Sequence, residues 1–573
     1  MSSHGRSGLK LLFDEKLGFG VRTYFSIALF FTCVANFLLL VPPLHMLQVY
    51  DRVLISGSIE TLVMVSGIAV FLLVVYGFAE SGRRRALTLG AEQLKSGLNA
   101  KLFRPAIEGS DAQRQVREDV SNVRVVNGFL SNGLALAVLD AIFVPAFLIA
   151  LFMVHPFIGA FGVFSAAILI VAAILSEFRS REIVTKAEQA DQSAQVFAMD
   201  VARQQATVVG LGMVGAVEGL FKQYQHRASS LMVESLRSSN QFGSAARSIR
   251  NIVQVIVLSI GALLVLDQQT SAGAIVAGSI MLGKALAPID QCIGGWRNLV
   301  RTRQALGLLD LRIQSLRDVA LEYTPLPRPN GLLEIEGAEI APEGTGKALF
   351  PGFNLRVESG SVVAIIGKSG AGKTTLLRTI AGVTPLMSGT IRLGGRDVHS
   401  WPSDDRGRYI GYASSSTELL PVSVLANITR MRDVPPEEVF GVTSSLGVHE
   451  MILSLTDGYD SVLGPGGGML SAGQGQGICL ARAFLGSPVL LLLDEPTAHL
   501  DGSQVQLLRL KIADAVQSGT IVLMAFHDMR LIDLASHVMS VSKSSIDFLP
   551  RDQYLQKLRA RSSQVSDIRT VLK

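Results

Sequence analysis

The chain has 573 residues, of which 49% are hydrophobic and 17% charged, against roughly 25% charged in ordinary soluble domains. A single small domain and a disordered or fibrous chain are excluded, and the hydrophobic excess argues against a fully soluble protein. A net charge of +5 does not suggest a nucleic-acid partner, and three cysteines (Cys33, Cys292, Cys479) cannot build a disulfide framework.

The composition is unevenly distributed. Thr23–Tyr50 and Thr61–Ala79 carry no Asp, Glu, Lys or Arg. Val125–Ser176 carries only Asp140, Asn251–Leu266 none, and Gln268–Ile289 only Lys284. Crossing the hydrocarbon core takes about 20 apolar residues. Six spans are therefore expected, at 24–46, 60–79, 133–154, 157–177, 249–267 and 271–293. Pro42-Pro43 should kink or end the first, and His155-Pro156 should turn the chain between the third and fourth. The fifth is short unless it borrows flanking polar turns. The first run is too long for a cleaved signal peptide and has no small-residue cleavage site after it.

Arg6, Lys10, Lys16 and Arg22 precede the first span, and Arg83, Arg84, Arg85, Lys95, Lys101 and Arg104 follow the second. The alternate connections hold only Arg52. By the positive-inside rule the N-terminus and the connections 80–132 and 178–248 lie in the cytoplasm. Those connections are long and helix-compatible, so the spans should continue through them as cytoplasmic extensions. Asp140 and Lys284 are costly in lipid and should face protein or water, as helix glue or as substrate contacts.

Three prolines in Thr324–Gly331 mark a linker. The expected domains are a cytoplasmic segment (1–23), a six-helix membrane domain with long extensions (24–311), a linker (312–330) and an α/β domain (331–573). The last alternates short apolar strands, such as Ser361–Ile366 and Val489–Leu493, with helical patterns.

Gly367-Lys368-Ser369-Gly370-Ala371-Gly372-Lys373-Thr374 follows the first of these strands. Glycines let backbone N–H groups curl around phosphate oxygens, and a helix starting near Lys373 adds its positive end. Lys373 reaches the β and γ phosphates and the Thr374 hydroxyl binds Mg²⁺. An ordinary glycine-rich turn is the alternative, which the Lys-Thr ending disfavours. Downstream, Asp494 can hold Mg²⁺ and Glu495 can polarise a water attacking the γ phosphate. Between them, Leu470-Ser471-Ala472-Gly473-Gln474 suits a further phosphate at a helix start, and His527 after the strand Thr520–Phe526 can hydrogen-bond a γ phosphate.

In this order the elements resemble the ABC transporter family over nearly the whole chain. The resemblance implies a membrane all-α six-helix exporter domain followed by an α/β P-loop nucleotide-binding domain. The stretches Pro43–Leu54, Ala285–Asp290 and Thr456–Asp460 resemble the type I secretion permease/ATPases, in the branch that exports metalloproteases. About 22 residues before the first span leave no room for the extra domain of haemolysin-type relatives. The resemblance implies ATP and Mg²⁺ as cofactors, with Gly367, Ser369, Gly370, Gly372, Lys373, Thr374 and Thr375 around the phosphates. Thr374 and Asp494 then attend the metal, Glu495 is the general base and His527 the switch histidine. Ser471, Gly473 and Gln474 form the signature facing ATP on the opposite subunit, and Asp501 stands in the interdomain loop. One half of each kind requires a dimer.

The resemblance also implies a homodimer in the bacterial inner membrane, with its ATPase domain in the cytoplasm. Its partners would be a periplasmic adaptor, an outer-membrane channel and a secreted polypeptide with a C-terminal signal. Export of a lipid, polysaccharide or small molecule is the first alternative; a degenerate heterodimer partner or a nucleotide sensor is the second. Several positions depart from the family. Ser415 stands at the metal-binding glutamine, where a shorter side chain would need a bridging water. Ala472 replaces a glycine, Gly475 and Gly477 replace arginines, Pro465 replaces an acidic residue, and the adenine-stacking aromatic is missing from Ala338–Glu343. Slower or differently coupled ATP hydrolysis is expected.

Overall fold

The computed structural model describes residues 19–109, 111–317, 327–342, 347–350, 352–464, 467–526, 530–542 and 545–559. The chain divides into two compact units, Met1–Ala320 and Leu321–Lys573.

The first unit is helical. Its elements are α1 (Phe19–Leu38), α2 (Val41–Gln48), α3 (Ile59–Ile107), α4 (Ala112–Ser131), α5 (Leu134–Ala141), α6 (Val144–Val154), α7 (Pro156–Arg203), α8 (Val214–Leu266), α9 (Ala272–Gly294) and α10 (Trp296–Arg317). Among the described residues five helical stretches are long and apolar enough to cross a membrane, and the pair α4–α5, bent by 60°, makes a sixth candidate. The 49-residue α3 and 53-residue α8 are roughly 70–80 Å long at 1.5 Å per residue, more than twice the hydrocarbon thickness of about 30 Å. The expected extensions are thus continuous with the spans. The fifth span is the apolar end of α8, which is why it looks short in isolation.

Three expectations need adjustment. The first span, Val21–Ser56, is interrupted after Leu38, and Val41–Gln48 restarts with proline in its first turn before a π-helical turn at Val49–Val53. The third span is not continuous over 133–154. It breaks at Ile142–Phe143 because Pro145 has no N–H to offer the preceding turn and instead occupies the first turn of α6. The predicted linker also begins later, since α10 stays helical through Arg317. The hairpin at His155-Pro156 forms as read: the His155 ring accepts from the Phe157 N–H at 3.3 Å and Pro156 opens α7.

Asp140 is helix glue. Its Oδ1 accepts from Arg83 Nη1 at 2.6 Å and from Asn36 Nδ2 at 2.7 Å, tying α5 to α3 and α1. Arg83 is itself buried and also engages Glu80. Asp140→Leu leaves that guanidinium short of a partner, so a loss of about 3 kcal/mol is expected, the low end for a broken buried pair because Glu80 remains. Adding Arg83→Leu should restore most of it. Thermal unfolding of the detergent-solubilised single and double variants checks this, and equal melting of both would refute it.

The stretch that narrowed the family resemblance also has a physical role. Asp51, in the π-helical turn, accepts from Ser271 Oγ at 2.5 Å and from the Gly273 N–H at 3.0 Å. It thereby caps α9, whose first N–H groups lack helical partners. Gly273 is required there, since a Cβ would lie 2.5 Å from Asp51 Oδ1.

The second unit is α/β. A four-stranded antiparallel sheet has the order β2-β1-β4-β5, with β1 at Leu332–Glu339, β2 at Phe353–Glu358, β4 at Ser388–Leu393 and β5 at Arg396–Asp397. A six-stranded sheet has the order β10-β9-β3-β8-β7-β6, with β3 at Val362–Ile366, β6 at Ile410–Ala413, β7 at Leu490–Asp494, β8 at Ile521–Ala525, β9 at His537–Val541 and β10 at Ile546–Pro550. It is parallel apart from β10. Strands covered on both faces should be apolar throughout, and β3 and β8 are, as is β7 up to its terminal Asp494. Val362, Ala364, Leu491, Leu493, Val522 and Met524 face one core, while Val363, Ile365, Leu490, Leu492, Ile521 and Leu523 face the other.

Candidate functional site

The parallel register aligns Ile365, Ala525 and Asp494 across the ends of β3, β8 and β7. Ligands in open parallel sheets bind beyond such carboxyl ends. After β3 the chain turns through Gly370 (φ +75°) and Gly372 (φ +95°) into α11, Lys373–Ile380. Both backbones lie in the left-handed region that glycine tolerates. Gly372 is doubly required, because a Cβ there would approach Phe350 Cζ at 2.9 Å. Ser369, Gly370, Ala371, Gly372, Lys373, Thr374, Thr375 and Glu495 line a cavity of about 320 Å³ together with Pro342 and Leu349.

Lys373 is 6% exposed and donates to the Gly367 carbonyl at 3.0 Å. Burial pulls its ammonium below the ordinary lysine range, and Glu495 and Asp494 work against that pull. Glu495 adopts φ +51°, a strained conformation for a residue with a side chain. Its N–H donates to the Ala525 carbonyl at 2.8 Å and its carbonyl accepts from the Ala498 N–H at 3.0 Å, which hold the turn.

Asp494 is 1% exposed, and its Oδ2 has no hydrogen-bond partner among the described residues. Burial raises its pKa, while hydrogen bonds from the Thr374 and Ser415 side chains lower it. Ser415 is thereby brought to the Asp494 carboxylate. An orphaned buried carboxylate oxygen beside two hydroxyls is an all-oxygen donor set, the kind Mg²⁺ takes.

The raised Asp494 pKa has a sign. Between the unfolded carboxylate value, about 4, and its higher folded value, the native state binds more protons than the unfolded chain. Stability therefore falls as pH rises through that window, and at neutral pH the charged group is a burden that a cation relieves. Mg²⁺ with ATP should raise the melting temperature more at pH 7.5 than at pH 5.5, the proton competing with the metal at the lower pH. Thermal scans of the full chain, with the Asp494→Asn variant as control, would show an equal gain at both pH values if this is wrong.

The remaining expected residues lie apart from this cavity. Ser471 caps α14, Ala472–Phe484, in a reciprocal capping box with Gln474. Gly473 packs so tightly that a Cβ would lie 2.7 Å from the His499 carbonyl, bringing the start of α14 against the loop that carries Asp501. Asp501 caps α15, Gly502–Gln517, accepting from Gln504 N at 2.8 Å. Gly477 is also constrained, because a Cβ would collide with Val448. His527 and Pro465 lie outside the described residues.

Residues 25–283 match the ABC transporter transmembrane region, and residues 350–498 match the ABC transporter family. The type I secretion system ATP-binding protein PrsD of Rhizobium meliloti (strain 1021) is 32% identical over 532 residues, covering 91% of each chain. The chain belongs to the ABC transporters of type I secretion systems. The cyclolysin secretion/processing ATP-binding protein CyaB of Bordetella pertussis is 26% identical, and the alpha-hemolysin translocation ATP-binding protein HlyB of Escherichia coli O157:H7 is 24% identical. Each match covers 89% of this chain and 73% of the relative. The solved structure of a bacterial Atm1-family ABC exporter with ATP bound has the same fold. Its TM-score is 0.76 at 20% identity, over 94% of this chain and 96% of that one.

In this ABC transporter Pro342 and Leu349 were not anticipated as site residues. The search for a flat aromatic passes over them, yet both put apolar surface at the cavity wall. The aromatic Phe350 beside them is buried beneath Gly372. In the sequence Pro342 and Leu349 are ordinary apolar residues, and only the fold brings them to the cavity.

Proposed function

We propose that the chain is the motor and membrane conduit for ATP-driven export of a polypeptide across the bacterial inner membrane. The observation that carries this reading is the phosphate cradle of Gly370–Thr375 with Glu495 beside it, in a chain whose other half is a bundle of apolar helices. ATP hydrolysis coupled to transport belongs to the family, and its relatives include proteins of cyclolysin secretion and alpha-hemolysin translocation.

Lys373 and the turn N–H groups would hold the phosphates, and Thr374, Asp494 and Ser415 would hold Mg²⁺, which neutralises developing phosphate charge. Glu495 takes a proton from the attacking water. The water oxygen bonds to the γ phosphorus as its bond to the ADP oxygen breaks. His527 would attend the γ phosphate. Ser471, Gly473, Gln474 and Asp501 do not line the cavity of their own chain, which supports their serving a second copy in a homodimer.

In this reading the N-terminus and the ATPase unit are cytoplasmic. A periplasmic adaptor and an outer-membrane channel complete the route for cargo with a C-terminal signal. The short Ser415 side chain at the position of the family's glutamine and the glycines Gly475 and Gly477 of α14 favour turnover slower than that of relatives carrying the glutamine.

The test is ATP-dependent movement of a co-expressed neighbouring secreted protein into inverted membrane vesicles. Movement of that polypeptide, lost on removing MgATP, is the expected result. Flipping of a fluorescent lipid without polypeptide movement would favour a lipid exporter instead.

A further inference from the structure

The structure separates the two intramembrane charges. Asp140 is paired, whereas Lys284 is exposed and makes no ion pair or hydrogen bond among the described residues. It is also the only charged residue between Gln268 and Ile289. It lies mid-way along α9, roughly 18 Å from one end and 15 Å from the other at 1.5 Å per residue. A lysine stem of about 6 Å cannot snorkel that far. Facing hydrocarbon there would be costly even on the lenient insertion scale.

The rest of α9 is enclosed, packing against α2, α5, α6, α7 and α8. Its exposed residues Ala272, Lys284, Gln291 and Gly294 fall within one face about 120° wide at 100° per residue, while half-buried Ile275, Ile289 and Cys292 lie off that face. The exposed faces of α3 and α8 are different, with Val63, Phe71, Val74, Val255 and Leu263 giving ordinary lipid-compatible surface. A helix walled in by its own bundle, open along one face with a cation mid-way along its length, has a face suited to water.

We infer that Lys284 faces a water-filled conduit and contacts acidic side chains of the polypeptide moving through it. This rests on the export reading. The occupant is assigned by charge complementarity, because the Lys284 ammonium is the one charge on this face of α9.

The first test places Lys284→Cys in full-length protein carrying Cys33→Ser, Cys292→Ser and Cys479→Ala, embedded in lipid nanodiscs. A charged, membrane-impermeant thiol reagent should modify the new thiol about tenfold faster than one introduced by Leu263→Cys, since only a hydrated thiol ionises. An unreactive thiol would overturn the conduit. Oxidative cross-linking of two chains through it, without reagent access, would do the same and assign the face to a second copy.

The second test measures ATP hydrolysis with short Gly/Asp and Gly/Lys peptides. Lys284→Glu should raise the half-maximal concentration of the Gly/Asp peptide about threefold and lower that of the Gly/Lys peptide, the size expected of a solvated ion pair. Lys284→Arg should match wild type. Equal values in every variant, or no response to either peptide, would overturn the acidic preference. If the wild-type chain moves no polypeptide into vesicles, the export reading and its cargo fail together, whereas the thiol result reports on the conduit by itself.

Discussion

Glu495→Gln is expected to cut steady-state ATP hydrolysis by at least about 100-fold, the low end for removing a positioned general base, while leaving nucleotide binding intact. The amide keeps the shape of the carboxylate but cannot accept a proton. The fold that presents the side chain does not depend on its charge. The backbone at φ +51° is held by the Glu495 N–H on the Ala525 carbonyl and by the Ala498 N–H on the Glu495 carbonyl. Binding should therefore survive, and ATP should accumulate uncleaved between two copies of the chain. Phosphate release by protein in nanodiscs measures the first effect, and an ATP-dependent dimer in native mass spectrometry the second. A protein that only senses nucleotide would show neither, because it has no turnover to lose.

Lys373→Ala should weaken ATP binding by about 10- to 150-fold, the equivalent of 1.5–3 kcal/mol for hydrogen bonds to a charged group. Lys373 is 6% exposed, held on the Gly367 carbonyl, and is a cation facing Asp494 and Glu495. Its removal costs the phosphates their counter-charge and leaves two carboxylates near the incoming anion. Lys373→Arg should not rescue binding, since a planar guanidinium does not replace a compact ammonium inside a closed turn. Titration with a fluorescent ATP analogue decides the matter, and an unchanged dissociation constant for Lys373→Ala would remove the site from this cavity.

These two predictions come from the part of the chain whose structure could be read along the sequence. The turn at Gly370–Gly372, the helix beginning at Lys373, the cap at Ser471 and the hairpin at His155-Pro156 each depend on neighbours within a few residues. Glycine dihedrals, proline's missing N–H and capping hydrogen bonds are local physics, and the residues that decide them are adjacent in the text. The apolar runs of β3, β7 and β8 announced buried parallel strands for a similar reason. The break in the third span was also written locally, in Pro145, but the unbroken apolar run around it concealed the signal.

What the sequence determined by itself was a membrane-embedded helical half, an α/β half with a phosphate-binding turn, and Lys373, Asp494 and Glu495 as the candidate residues around it. Only the tertiary structure decided that Asp140 belongs to Arg83 and Asn36, that Asp51 caps α9, and that Lys284 stays open. Each of those outcomes depends on which distant segments packing brings within about 3 Å, the reach of a hydrogen bond. A charge in a sequence states that a partner or water is needed, and the packed helices and strands settle which of the two it meets.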